Sequence, residues 1–146
     1  MTARRLSAVR VILLVLGLAI ASYLTVLHSN GEAGLVCVSG GIVNCERVLT
    51  SPQAIWWNLP VALFGVIWFA IGLVLQVLRM RTRQDTASSR RLSWLRLIWL
   101  FGGTVAVLYL IYDEFLIIGR ICLWCSSVHL IVFTLLVLEA TSTAAD

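Results

Sequence analysis

Four long runs of apolar residues divide the 146-residue chain. They cover about residues 11–27, 61–78, 95–118 and 121–138, and each is close to the roughly 20 residues that an α-helix needs to cross a bilayer. Only 12% of the residues are charged, about half the share of roughly 25% that is typical of soluble domains. The sequence therefore predicts an all-α, polytopic membrane protein, because a bundle of four helices satisfies every backbone polar group inside the bilayer.

The first run also resembles a signal peptide, because Arg4, Arg5 and Arg10 precede it. Its seventeen residues are more than the apolar core of a leader usually has, and no small-x-small cleavage site follows promptly. We therefore interpret it as a retained transmembrane helix. Residues 1–146 are predicted to form one membrane domain.

Arginines are distributed unevenly among the connections. All eleven basic residues are arginine, and nine of them lie before the first run or between the second and third runs, leaving Arg47 and Arg120 elsewhere. The positive-inside rule then predicts that both termini and the 79–96 connection are cytoplasmic, with the other connections on the extracytoplasmic face. Because the positive charge follows the membrane topology, it does not indicate nucleic-acid binding.

Two pairs of cysteines lie in the extracytoplasmic connections. Cys37 and Cys45 border a loop with two glycines, and Cys122 and Cys125 form a Cys-x-x-Cys motif where the fourth run begins. Disulfides persist outside the cytoplasm, and the N-terminus of a helix stabilises a thiolate through its unpaired N–H groups and its dipole. The pattern predicts thiol–disulfide exchange at this membrane face.

Plainer interpretations of the four cysteines stay open. Cys122 and Cys125 could be two small apolar side chains buried on one helix face, because residues three apart share a face. Cys37 and Cys45 could form a static disulfide that only braces the loop. A zinc site fits poorly, because seven residues separate the loop cysteines whereas two to four are usual within a pair of zinc ligands. No metal site is predicted.

The polar stretch after Cys37 contains two further helix signals. Asn44 is predicted to cap a short helix that starts near Cys45, with Glu46 in its first turn. Residues 51–60 are predicted to form a short surface cap helix between the first two transmembrane helices. Ser51 is its expected N-cap, and the proline that follows suits the first helical turn.

Aromatic residues in the cap suggest a ligand site. Trp56 and Trp57 fit either the interfacial aromatic belt of a membrane protein or a lid over an apolar pocket above Cys125, where a flat quinone would fit. His129 lies one helical turn beyond Cys125 on the same face. It is placed either to deliver a proton to a reduced quinone or to bond a neighbouring helix.

Three further polar residues have open roles. His28 ends the first run as a boundary residue, whereas Asp113 and Glu114 lie either in an outer loop or in a third helix that continues to Ile118. An acid inside a membrane is a candidate functional residue.

The order of these motifs resembles the vitamin K epoxide reductase family. A loop pair of cysteines precedes the helix pair, whereas DsbB-type oxidases carry Cys-x-x-Cys first. The resemblance extends over about residues 11–138. In chain order, the matching residues are Cys37, Cys45, Ser51, Pro60, Phe64-Gly65, Tyr109, Cys122, Cys125 and His129.

The resemblance implies an electron relay. An external thioredoxin-like protein attacks the loop disulfide at Cys37, and the freed Cys45 attacks Cys122. Cys125 then reduces a membrane quinone, either menaquinone or ubiquinone, next to Ser51 as the hydrogen-bond donor. A DsbA-type oxidant at about −120 mV needs such a strong terminal acceptor. The predicted quinone site comprises Ser51, Trp56, Trp57, Phe64, Tyr109 and His129.

The implied function is the generation of disulfide bonds in exported proteins, in a bacterial cytoplasmic membrane. Many bacterial relatives carry a thioredoxin-like domain after the last helix; the residues up to Asp146 contain none, so a separate DsbA-like partner is expected. The alternative within this class is a vitamin K epoxide or quinone reductase driven by partner thiols, although His129 stands where vertebrate epoxide reductases carry tyrosine. The alternative from another class is a structural membrane protein braced by a static loop disulfide.

Overall fold

The computed structural model describes residues 3–31, 37, 40–81 and 87–143. In these ranges the chain forms five α-helices: α1 Ala3–Ser29, α2 Cys45–Leu49, α3 Val61–Arg81, α4 Ala87–Tyr112 and α5 Leu123–Thr143. A π-helical turn, Asp113–Ile118, continues α4. Four of the described segments are long and apolar enough to cross a membrane: Arg5–Ser29, Val61–Arg81, Arg90–Ile118 and Leu123–Thr141. The prediction of an all-α membrane bundle with four long helices is confirmed.

The long helices differ from the predicted runs mainly at their ends. Arg10 lies inside α1, and Arg96 lies inside α4 rather than in the predicted 79–96 connection, because arginine is a good helix former whose long stem packs against apolar surface. Arg83 falls outside the described residues. At the other end, α5 begins two residues later than predicted, because Ile121 instead forms a β-bridge with Val43.

Small residues bring the transmembrane helices close together. The ring of Phe69 on α3 occupies the space that a side chain at Gly17 on α1 would need. On α3 and α4, Trp68 and Trp99 stack with centroids 4.0 Å apart. Each indole N–H donates to the other residue's backbone oxygen, at 3.1 and 3.0 Å. Close packing and interhelical hydrogen bonds are the main sources of helix association in lipid.

The cap over the bundle is formed by α2 and a tiny hairpin. Asn44 Oδ1 accepts the Arg47 N–H at 2.9 Å, so the predicted capping of this helix is confirmed. Strands β1 (Ile55–Trp56) and β2 (Leu59–Pro60) pair antiparallel. The two residues between them, Trp57 and Asn58, have φ of 48° and 66°, as a type I′ hairpin turn requires.

The prediction of a short helix over residues 51–60 is wrong, because Trp57 and Asn58 take left-handed φ and the chain turns back as a hairpin. Ser51 does stand at the N-cap position with a proline in the first turn, as predicted. Residues Pro52–Ala54 form a single 3₁₀ turn, and the Ser51 side chain makes no capping bond to it. The Ser51 hydroxyl instead donates to the Val48 backbone oxygen at 2.7 Å, because the buried hydroxyl lies against the end of α2. Ser51 therefore joins α2 to the turn.

Charged residues from four helices meet at the end of the bundle opposite the cysteines, here called the arginine end. Glu139 on α5 is 4% exposed. Its Oε2 accepts from Arg96 Nη2 on α4 at 2.8 Å and lies 3.2 Å from Arg10 Nη2 on α1, and its Oε1 accepts from Arg79 Nη1 on α3 at 3.3 Å. Arg96 also donates to Gln76 Oε1 at 3.2 Å. One carboxylate thus joins all four long helices.

Removing that carboxylate should destabilise the whole bundle. Glu139→Gln leaves buried guanidinium groups without their counter-charge, and breaking a buried ion pair in this way costs about 3–5 kcal/mol. We expect a corresponding fall in the free energy of unfolding, measured by denaturant titration in detergent micelles. Glu46→Gln is the matched control, because the exposed Glu46 should change stability by no more than about 0.5 kcal/mol. Equal stability of both variants would contradict this role.

Candidate functional site

The loop cysteines form a disulfide in this structure. Cys37 and Cys45 are bonded, with their Cα atoms 6.2 Å apart. Cys45 opens α2 and is 1% exposed, whereas Cys37 is only half-buried. The prediction that this pair can close on itself is confirmed. In the described ranges, no group of three or more His, Cys, Asp or Glu side chains is arranged to bind a metal ion.

Backbone hydrogen bonds hold the loop against the start of α5. Gly40 and Val43 exchange two hydrogen bonds of 3.1 Å across a tight turn. Val43 in turn forms a parallel bridge with Ile121. In that bridge the Asn44 N–H donates to the Ile121 oxygen at 3.1 Å, and the Ile121 N–H donates to the Ile42 oxygen at 3.0 Å. The segment before Cys122 is thereby fixed beside the segment before Cys45.

The two cysteine pairs consequently meet in one buried cluster. Cys45, Val48 and Cys122 are 1%, 7% and 0% exposed and pack together, with Cys37 and Cys125 at the edge of the cluster. The sequence predicted both pairs at one membrane face, but periodicity and spacing contain no signal for this contact. It brings one sulfur of each pair into the same dry environment.

Cys122 occupies the N-cap position of α5. Its sulfur accepts the Cys125 N–H at 3.3 Å, as a capping oxygen would, and the Cys125 thiol donates to it at 2.7 Å. The thiol hydrogen bond from Cys125 is the main reason that the pKa of Cys122 is lowered from its ordinary value, and the N–H groups of Cys125 and Trp124 add to it. Closing these sulfurs to the disulfide length of about 2.05 Å needs only a small movement.

A cavity of about 230 Å³ lies beside this cluster, inside the bundle and beneath the cap. Cys125 and His129 line it from α5, one helical turn apart, as their spacing predicted. Ser51, Trp56 and Phe64 also line it, and the wall is predominantly apolar. The cavity therefore presents a thiol, a hydroxyl and an imidazole among a small number of polar groups in a mostly apolar wall, which is the usual composition of a small-molecule site.

Two predicted site residues support the cavity wall from outside. Trp57 is 84% exposed, and its ring lies 6.5 Å from that of Trp56 and 6.0 Å from that of Phe64. The ring of Tyr109, which is about half exposed, lies 5.7 Å from the Trp56 ring. Neither Trp57 nor Tyr109 belongs to the cavity lining, so their part in ligand binding stays a prediction.

Acidic residues enter the site from the end of α4. Asp113 and Glu114 are both buried and both line the cavity, because the π-helical turn extends the third transmembrane segment past them. The Glu114 carboxylate lies close enough to the Cys122 N–H and the Cys125 thiol to interact with both. The sequence left the place of these acids open, and the structure puts them in the helix rather than in a loop.

Two other polar residues line the cavity near the cap. His28, whose role the sequence left open, has Nδ1 3.2 Å from the Leu49 oxygen. Gln53 was not predicted as a site residue. The only feature of the sequence that could have indicated Gln53 is its polar side chain within residues 51–60, and many surface positions share that property.

Comparison with protein families identifies the chain's relatives. The profile of the vitamin K epoxide reductase family matches residues 8–140, which is most of the chain, so the chain belongs to this family and the resemblance is confirmed. Membership implies, in general terms, a membrane thiol–disulfide oxidoreductase linked to quinones. No curated protein matches the chain significantly.

The buried contact between the pairs predicts a specific cross-link. In a Cys37→Ser, Cys125→Ser double variant, Cys45 and Cys122 are the remaining cysteines, and their packing should let mild oxidation join them. We expect a disulfide within the monomer, seen by mass spectrometry after thiol alkylation and lost on treatment with dithiothreitol. A folded double variant that keeps two free thiols, or that forms only cross-linked dimers, would contradict this arrangement.

Proposed function

We propose that this member of the vitamin K epoxide reductase family oxidises a thioredoxin-like, DsbA-like protein outside the cytoplasm and passes its electrons to a membrane quinone. The observation that carries the proposal is the burial of Cys45 and Cys122 in one small cluster, between a loop disulfide and an apolar cavity. In the net reaction a partner dithiol becomes a disulfide, and the acceptor gains two electrons and two protons.

The first exchange takes place at the loop disulfide. A thiolate of the partner attacks Cys37 Sγ, the bond between Cys37 and Cys45 breaks, and Cys45 leaves with the electron pair. The exposures support this direction, because Cys37 is half-buried while Cys45 is 1% exposed. An external thiolate therefore reaches Cys37 first, and access decides which sulfur is attacked.

The second exchange moves the electrons inward. The Cys45 thiolate attacks Cys122 in the Cys122–Cys125 disulfide, and Cys125 is released at the cavity. The burial of Cys45 and Cys122 in one small cluster supports this step, and the lowered pKa of Cys122 bears on the later step, in which Cys122 leaves. The partner's second thiol then closes the partner's own disulfide and frees Cys37. Cys37 attacks Cys45 to reform the loop disulfide, and Cys122 is released, which its low pKa favours because a sulfur of low pKa is a good leaving group.

The cavity suits a quinone ring. A quinone bound there would accept the two electrons from the dithiol, with its isoprenoid tail in the lipid. Trp56 and Phe64 offer flat apolar walls, and Ser51 offers a hydroxyl. The Ser51 hydroxyl now donates to the Val48 oxygen, so it must rotate in order to donate to a ligand. His129 is available from the same wall to hold or move a proton.

The orientation in the membrane follows from charge. Arg10, Arg79 and Arg96 gather at the arginine end, at the other end of the long helices from the cysteines. Together with the nine-to-two division of the arginines in the sequence, this supports a cytoplasmic arginine end and an extracytoplasmic cysteine end. The expected location is a bacterial cytoplasmic membrane.

Removing Cys45 should trap the partner. In Cys45→Ser, Cys37 is a free thiol, and its thiolate can attack the disulfide of a purified, oxidised DsbA-like protein, which frees the partner's second thiol. The mixed disulfide should accumulate, because Cys45, the sulfur that would displace the partner from Cys37, is gone. Non-reducing gels should show a band at the summed mass, and it should disappear with dithiothreitol. Cys37→Ser is the control and should form no such band. An adduct that instead forms at Cys125, or no adduct with folded Cys45→Ser, would refute the assigned order.

Loss of the Ser51 hydroxyl should impair quinone reduction selectively. A donor aimed at developing negative charge in a dry site is commonly worth about 10²–10³ in rate, so Ser51→Ala should slow steady-state quinone reduction by about that factor. A single turnover of partner oxidation should stay normal, because the loop exchange needs no quinone.

Thr50→Ala is the matched control for this substitution. The exposed Thr50 hydroxyl donates to the Glu46 oxygen of α2 at 2.9 Å. Thr50→Ala therefore removes a similar hydrogen bond to α2 without changing the cavity. Equal losses in Ser51→Ala and Thr50→Ala would show that Ser51 serves only to hold the cap.

A further inference from the structure

We propose that Glu114 is the proton donor and acceptor for Cys125, protonating its sulfur when the disulfide opens and taking the proton back when Cys125 gives up its electrons. This inference rests on the proposed electron path through Cys122 and Cys125. It adds to that path a carboxyl group from a different helical segment.

The position of Glu114 supports a direct role at the sulfurs. Its side chain is 4% exposed and lines the same cavity as Cys125. Its carboxylate lies close enough to the Cys122 N–H and the Cys125 thiol to interact with both. One carboxyl group is therefore near both members of the pair, at the point where a leaving sulfur enters the cavity.

The backbone around Glu114 is held firmly. Its carbonyl oxygen accepts the N–H of Gly119, which has a left-handed φ of 64°, and the N–H of Arg120 at 3.1 Å. These bonds close the end of the π-helical turn. Turns of this kind frequently occur at functional sites, and here the turn extends over Asp113 and Glu114 and keeps both acids at the cavity.

The thiol proton has two acceptors within reach. Cys125 donates to Cys122 Sγ at 2.7 Å, and the Glu114 carboxylate also lies near its sulfur. A thiol has a single proton, so it serves one acceptor at a time. When Cys122 and Cys125 form a disulfide there is no thiol proton, and the Glu114 carboxyl group can carry it instead.

The proton transfer balances as follows. The Cys45 thiolate attacks Cys122 Sγ, the Cys122–Cys125 bond breaks, and its electron pair goes to Cys125 Sγ. The proton of the Glu114 carboxylic acid moves to that sulfur. A Cys45–Cys122 disulfide, a Cys125 thiol and a Glu114 carboxylate result, with one negative charge before and after. No free thiolate is left in the apolar cavity, where an unpaired charge is strongly disfavoured.

The test follows release of Cys125 in quinone-free protein. The fully oxidised protein is mixed with dithiothreitol, quenched with an alkylating reagent at successive times, and the labelled cysteines are identified by mass spectrometry. Glu114→Gln should slow labelling of Cys125 by at least about 10²-fold, the lower end of what general acid catalysis contributes. Labelling of Cys37, which reports opening of the loop disulfide, should keep its normal rate.

Two further variants separate proton transfer from a structural effect. Glu114→Asp retains a carboxyl group and should recover part of the rate, whereas Glu46→Gln removes an exposed acid and should leave the rate unchanged. A solvent deuterium isotope effect on Cys125 release is expected in the wild type, and it should be lost in Glu114→Gln. If Glu114 had a purely structural role, the Glu114→Gln substitution would leave the isotope effect unchanged.

The possible failures are distinguishable. Normal Cys125 release in Glu114→Gln would overturn the role of Glu114 and leave the relay intact. Slow release with an unchanged isotope effect and no recovery in Glu114→Asp would make Glu114 structural and also overturn it. If wild-type Cys37 is labelled but Cys125 never is, the relay itself is wrong and the inference falls with it.

Discussion

Two backbone hydrogen bonds between the loop and Ile121 are the constraint on which the cysteine site depends. They pair Asn44 and Ile42 with the residue directly before Cys122, and so set the register between the two cysteine pairs. A shift of one residue in such a pairing turns side chains to the opposite face, which would remove Cys45 from Cys122. Because the bonds involve backbone atoms alone, they do not depend on which disulfide is formed, and the loop can stay in place while sulfur–sulfur bonds exchange.

The four cysteines differ in how easily other molecules can reach them. Cys45 and Cys122 are almost completely shielded from solvent, so they are available to each other but poorly available to external thiols. Cys37 and Cys125 both pack against their cluster, and Cys125 also borders the cavity. The order of the proposed relay therefore follows from access, since attack on a disulfide depends on which sulfur can be reached.

Charge is handled differently at the two ends of the bundle. At the arginine end, Glu139 binds guanidinium groups from three other helices, and multiple pairing offsets the cost of burying them. At the cysteine end, Asp113 and Glu114 face an apolar cavity beside a dithiol. Acids in such surroundings are costly to keep charged and are candidates for proton transfer. The first arrangement favours rigidity, and the second favours chemistry in which a proton changes place.

The sequence by itself determined the number and class of the long helices, because the hydropathy of a segment is a local property. It also determined the capping of α2 by Asn44 and the shared face of Cys125 and His129, since both follow from short-range helical geometry. Only the tertiary structure decided that Cys45 meets Cys122, that Arg96 lies inside the bundle, and that Trp57 and Tyr109 stand behind Trp56 rather than on the cavity wall. It also placed Glu114 near Cys122 and Cys125, through a π-helical turn that the hydrophobic periodicity does not predict. These contacts join segments far apart in the chain, and they depend on how helices pack and on the register of a backbone bridge, neither of which local composition encodes.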